Sequence, residues 1–80
     1  MSEPRIARQD FRVLTRRRGG TGGADVVDVQ LQVAATGALV WAQTFSDEGQ
    51  ADRFHDEVEA DLNSLDTGEF RRKYGVPTGA

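Results

Sequence analysis

Charged side chains are the residues of this chain with the clearest chemistry, and they are unevenly distributed. Residues 1–23 carry six arginines against two acidic residues, whereas residues 24–69 carry eleven acidic residues against one arginine. Three more basic residues follow in the last eleven positions. The net charge of −3 therefore hides a polarised molecule, which is typical of proteins that bind nucleic acid, a charged protein or a second copy of themselves.

Few side chains are suited to catalysis or metal binding. The chain has no cysteine and a single histidine, His55. Asp52, Asp56 and Glu59 are its acidic neighbours, but only Asp52 and Glu59 share its face on a helix. One imidazole with scattered carboxylates is a poor ligand set for a transition metal. We therefore predict a protein that is not an enzyme and that holds no metal or cofactor.

An arginine and glycine run extends from Arg16 to Gly23. It lacks the lysine and hydroxyl ending of a P-loop, and it joins two predicted strands instead of opening a helix. Two interpretations remain. The run is either a solvated hairpin loop, or a flexible loop that contacts a phosphate backbone without sequence preference.

Alternation of apolar and polar residues predicts three strands, within residues 11–17, 27–33 and 39–45. The four glycines between residues 19 and 23 predict a flexible hairpin loop, and Gly37 predicts a tight turn with positive φ. Apolar steps of three and four then predict a helix that begins at Ser46 or Asp47.

A capping pattern at Asp66 and Glu69 predicts a second, short helix that ends at Gly75. The predicted fold is α+β, a three-stranded antiparallel sheet packed on one amphipathic helix (βββα) with a short C-terminal helix. We predict the following core: Phe11, Val13, Val27, Val29, Leu31, Val33, Leu39, Trp41, Phe45, Phe54, Val58, Leu62 and Leu65.

A single domain is predicted over residues 10–76, between a mobile basic arm (1–9) and a tail (77–80). The arm has Ile6 as its only sizeable apolar residue after Met1. No stretch has the length of a membrane span or the apolar character of a signal peptide. Together with the lack of cysteine, this predicts a cytoplasmic protein, and the arginine, alanine and glycine content indicates a bacterial or phage genome.

Two surfaces are candidates for protein binding. The main helix carries seven acidic residues and Arg53 as its only basic residue, which favours docking on a basic partner or imitation of nucleic acid. The sheet face turned away from the helix is predicted to carry an apolar strip at Leu14, Val40 and Ala42 that is suited to a second subunit. The residues that we predict to bind protein are Leu14, Val40, Ala42, Asp52, Asp56 and Glu59.

The segment WAQTFSDEGQADRFHDEVEADL (Trp41 to Leu62) resembles the arm-type DNA-binding domain of phage tyrosine integrases. The resemblance implies three strands and a helix, with the sheet inserted in the major groove of DNA. The matching positions are Arg12, Arg16, Gln30, Gln32 and Thr44. Asp28 adds a carboxylate to the same face. The segment EFRRKYGV (Glu69 to Val76) resembles the ends of small uncharacterised actinobacterial proteins, which imply no activity.

The leading functional prediction is a small non-enzymatic binding module that acts through protein–protein contacts, with a partner or as a homodimer. The acidic helix favours this reading, because DNA affinity depends on basic side chains without nearby repulsion. The alternative is a nucleic-acid-binding module that uses the basic arm and the first strand, with the acidic helix turned away. Its predicted residues are Arg12, Arg16, Arg17, Arg18, Gln30, Gln32 and Thr44.

Overall fold

The computed structural model describes residues 5–19 and 25–77 and has the predicted order of elements. A 3₁₀ helix (Ala7–Gln9) precedes three strands, β1 (Phe11–Gly19), β2 (Asp25–Val33) and β3 (Leu39–Phe45). Two helices follow, α1 (Glu48–Ser64) and α2 (Thr67–Tyr74). The strands form an antiparallel sheet in the order β1-β2-β3, which confirms the predicted α+β class.

Successive side chains of the sheet alternate between a face packed on α1 and an outer face. Val13, Leu31 and Trp41 stand opposite one another on the helix side. Helix α1 presents a stripe of apolar residues to them, because positions three or four residues apart lie on one side of a helix. The buried residues of this stripe are Ala51, Val58 and Leu62. The core lies between the stripe and the sheet.

A β-bulge interrupts the pairing of β2 with β3. Leu31 pairs with Trp41, but the next residue, Gln32, pairs with Leu39, so that Val40 is an extra residue in β3. Leu39 therefore lies on the outer side and is 58% exposed, whereas Val40 packs against the core. The prediction that Leu39 is in the core and Val40 on the outer face is wrong. An extra residue shifts the alternation by one, and apolar periodicity does not reveal it.

Capping side chains set the helix ends. Asp47 begins α1, and its carboxylate accepts a hydrogen bond from the backbone N–H of Gly49 at 2.8 Å. Asp66 does the same for α2 by accepting from the N–H of Glu69 at 2.8 Å. Gly75 ends α2 at φ 66°, a left-handed conformation that favours glycine. These ends confirm the predicted second helix and select Asp47 over Ser46 as the first cap.

Helix α2 contributes side chains to the main core. Phe70 is fully buried, and its ring lies 5.7 Å from that of Phe11 and 4.6 Å from that of Tyr74. Val76, just after the helix, is buried in the same cluster. The predicted core omits both residues, although it includes their neighbours in space on the sheet and α1.

The N-terminal segment differs from the predicted arm over residues 5–9. Ala7 is fully buried, and its N–H donates to the carbonyl of Leu65 at 3.0 Å. The N–H of Thr67 donates to the carbonyl of Arg5 at 2.8 Å. The segment thus packs along the connection between α1 and α2. Residues 1–4, most of the predicted glycine loop (20–24) and most of the predicted tail (78–80) lie outside the described residues.

Candidate functional site

The outer sheet face is the side of the sheet opposite α1, and among the described elements both helices lie on the other side. Its side chains follow from the strand register and from the bulge. They are Arg12, Leu14, Arg16 and Arg18 of β1, Val26, Asp28, Gln30 and Gln32 of β2, and Leu39, Ala42 and Thr44 of β3. This open face combines a row of arginines with polar and small apolar residues.

Asp28 is the one carboxylate among these outer-face residues, and its charge is compensated. Arg18 donates to its two oxygens at 2.6 and 3.2 Å, and the hydroxyl of Thr44 donates to it at 2.6 Å. The side chains around it leave Asp28 only 8% exposed. The hydrogen bond from Arg18, and then that from Thr44, lower the pKa of Asp28. The face therefore presents no unpaired negative charge within the described residues.

A second polar chain crosses the same face. Arg12 donates to the amide oxygen of Gln32 at 3.0 Å, and Gln32 donates to Gln30 at 3.4 Å. Arg16 pairs in register with Asp28 and has no hydrogen-bond partner in the described part of the chain. Its guanidinium is exposed and available to an anionic ligand.

Arg17 lies apart from the other residues predicted to bind nucleic acid. The alternation of β1 turns its side chain to the helix side, where it forms an ion pair with Glu48 of α1. Arg17 therefore does not share a face with the other residues of this set. The other six predicted residues share the outer sheet face: Arg12, Arg16, Arg18, Gln30, Gln32 and Thr44.

The residues predicted to bind protein do not form one surface. Leu14 and Ala42 lie on the outer sheet face, in line with Gln30 between them, but Val40 packs against the core. The predicted acids of α1 lie on the other side of the sheet. Asp52 and Asp56 are exposed, whereas Glu59 forms an ion pair with Arg8.

The acidic helix is also partly neutralised by basic residues from other elements. Lys73 of α2 lies 2.7 Å from Asp61 and 3.9 Å from Glu57. The hydroxyl of Tyr74 donates to Asp61 at 2.6 Å. The hydrogen bond from Lys73, and then that from Tyr74, lower the pKa of Asp61. Helix periodicity gives no indication of this network, because it joins two helices whose relative placement the sequence does not specify.

Four carboxylates with lowered pKa values predict a loss of stability in acid. Asp10 is held by Arg5, Asp28 by Arg18, Asp61 by Lys73, and Asp66 by the N–H of Glu69. A lowered pKa in the folded state adds stability above the unfolded value, about 3.9, and this stability is lost as the pH falls through the folded value.

We therefore expect the urea midpoint to be level from about pH 7 to pH 5 and to fall below about pH 4. Asp61→Asn is expected to lower the midpoint at pH 7 and to make the acid decline shallower. The exposed change Asp52→Asn is the control and should leave the profile as in the wild type. A midpoint that stays constant down to about pH 2.5 would contradict the prediction.

Neither the grouping of metal-ligand side chains within the described residues nor similarity to known proteins indicates a function. Within residues 5–19 and 25–77, no three histidine, aspartate or glutamate side chains are grouped as a metal ion would require. None of the helices in this part of the chain has the length and apolar character needed to cross a membrane. Comparison with protein-family models, curated proteins and solved structures finds no match to this chain.

Proposed function

We propose that this protein binds double-stranded nucleic acid through its outer sheet face. The observation that carries the proposal is the separation of charge by the sheet. Three arginines of β1 lie on the open face, and Asp28, the carboxylate among them, is paired with Arg18. The acids of α1 lie behind the sheet, where Arg8, Arg17 and Lys73 pair with several of them.

The negative charge of α1 is the argument against nucleic-acid binding, and the separation of charge by the sheet removes it. Net negative charge opposes binding to phosphates only where the acids lie close to the contact surface, because salt screens exposed charges beyond about 10 Å. Here the sheet and core separate the exposed carboxylates Asp52 and Asp56 from the arginines of the outer face. The prediction of a nucleic-acid-binding module likewise requires the acidic helix to be turned away from the contact surface.

The side chains of the outer face are suited to contacts with both the phosphates and the bases of a duplex. Guanidinium groups neutralise phosphates and also pair with guanine, and glutamine amides pair with adenine in the major groove. Gln30 and Gln32 occupy the central strand, between Arg12 on one side and Thr44 on the other. Phosphate contacts would thus come from the edge of the face and base contacts from its centre.

A salt titration of duplex binding tests the proposal. For the wild type, the logarithm of the affinity should fall linearly with the logarithm of the salt concentration. Arg12→Ala/Arg16→Ala removes two exposed arginines and leaves the Arg18–Asp28 pair intact. We expect binding at low salt to weaken by roughly 10- to 100-fold, and the salt slope to fall by about 1.8, since each contact contributes about 0.9.

The matched control removes the same charge from the helices. Arg53 and Arg72 are exposed residues of α1 and α2, so that Arg53→Ala/Arg72→Ala changes the net charge equally and leaves the outer sheet face unaltered. It should bind with nearly wild-type slope. Absence of duplex binding at low salt, or equal losses in both double variants, would contradict the proposal.

A protein contact through the same face is the second candidate function. It is favoured by Leu39, which the bulge exposes on β3 next to the outer-face residue Ala42. If the duplex assay fails, this apolar edge is the surface to test with a partner. For either function the absence of cysteine suits a reducing compartment, and we propose that the protein acts in the cytoplasm.

A further inference from the structure

The two edges of the sheet differ in how they are protected from pairing with another strand. Edge strands expose unpaired backbone N–H and C=O groups, and soluble proteins usually protect them with charges, proline or a covering element. The edge strand β1 carries four arginines, whereas β3, from Leu39 to Phe45, has neither a charged residue nor a proline. Its sequence, LVWAQTF, is rich in residues that favour strands.

A cleft of about 390 Å³ lies along this unprotected edge. Its lining residues are Trp41, Ala42, Gln43, Phe54, Lys73 and Tyr74. The Trp41 ring packs 5.7 Å from Phe54 and 6.2 Å from Tyr74, which fixes the indole at the edge. The indole Nε1 is buried and has no hydrogen-bond acceptor among the described residues.

We infer that β3 pairs antiparallel with β3 of a second copy of this chain. A two-fold axis perpendicular to the sheet near Ala42 then joins the two sheets into one of six strands. With Ala42 opposite itself, Trp41 of one copy stands opposite Gln43 of the other, on the helix side of the sheet. There the Gln43 side chain covers the cleft beside Trp41 of the other copy.

Charge opposes pairing of a second copy at β1 and does not oppose it at β3. Like charges placed directly opposite one another destabilise a strand pair. Self-pairing of β1 would oppose arginines, whereas β3 itself has no charged side chain to oppose. Lys73, which lines the cleft beside β3, is neutralised by Asp61 of its own copy. Seven residues give an edge of about 24 Å, so we expect a small interface between the two copies. The dimer should therefore dissociate on dilution.

The dimer does not depend on the proposed function. A two-fold axis perpendicular to the sheet leaves both outer sheet faces on the same side and uncovered, so that nucleic-acid binding and pairing use different surfaces. Self-association is measured without nucleic acid. Failure of one proposal is thus distinguishable from failure of the other.

Sedimentation equilibrium of the full chain, over about two decades of concentration, tests the pairing. The wild type should pass from monomer to dimer mass. Ala42→Lys places two lysines across the axis and should weaken dimerisation at least about tenfold. Thr15→Lys, at an exposed position of the opposite edge strand, is the control and should dimerise like the wild type. A wild type that remains monomeric throughout, or equal weakening by both variants, would overturn the inference.

Disulfide formation gives a second measurement that does not rely on a charged variant. The chain has no cysteine, so a single Ala42→Cys change introduces one thiol at the axis. Opposite residues of paired strands have Cβ atoms about 4.5–5.5 Å apart, close to disulfide distance. Mild oxidation should link Ala42→Cys into dimers at least about tenfold faster than Thr15→Cys. Equal rates for the two variants would overturn the inference.

Discussion

Replacing Phe70 by alanine is expected to lower the free energy of unfolding by about 3 to 5 kcal/mol. The ring is fully buried and packs against Phe11 and Tyr74, so truncation removes contacts from both the sheet and α2. A chain of this length has a total stability of only about 4 to 12 kcal/mol. The variant should therefore have a much lower urea midpoint and melting temperature than the wild type.

Leu39→Ala is the comparison that makes this result informative. Sequence periodicity places Leu39 in the core and omits Phe70, whereas the structure leaves Leu39 58% exposed. Its truncation should cost less than about 1 kcal/mol. Both values come from urea unfolding followed by circular dichroism and tryptophan fluorescence. Similar losses for the two variants, or a larger loss for Leu39→Ala, would contradict the observed register and the role of α2.

Sequence periodicity predicts the elements of this fold because each element obeys a local rule. Alternation along β2 places Val27, Val29 and Leu31 on the buried side, as the structure shows. Capping residues and helical spacing likewise predict α1 and α2 close to their observed bounds. These patterns depend on neighbours within a few residues, and the sequence shows those neighbours directly.

The positions that were not predicted depend on contacts between distant segments. Ala7 is small and lies in a basic stretch, so only its placement against Leu65 shows that it belongs to the core. The bulge at Val40 depends on how β2 and β3 align, because residue 40 is extra only with respect to the partner strand. Such features are set by tertiary packing, which no local pattern records.

The candidate site also combines features that local patterns predict with features that depend on tertiary contacts. Alternation along β1 and β2 is sufficient to place Arg12, Arg16 and Gln30 on one face. It does not show that the carboxylate of Asp28 is held by Arg18 and Thr44, two residues from neighbouring strands. That pairing changes the electrostatic interpretation of the face, from one opposed by a carboxylate to one dominated by arginines. The functional proposal therefore depends on tertiary contacts more than on composition.

Ala7→Asp is expected to destabilise the protein by at least about 3 kcal/mol, because it places a carboxylate without a partner in a fully buried site. Ala35→Asp makes the same substitution at an exposed alanine of the β2–β3 turn and should change stability by less than about 0.5 kcal/mol. Thermal and urea unfolding of the two variants at pH 7 provides the comparison.

The reason for this expectation is the position of the N-terminal segment at the junction of the two helices. Ala7 donates its N–H to Leu65 at the end of α1, and Arg5 accepts from Thr67 at the start of α2. Disturbing the segment thus exposes polar backbone at both helix ends as well as the surrounding core. An arm outside the domain would make no such contribution. Wild-type unfolding of Ala7→Asp would therefore show that residues 5–9 do not stabilise the domain.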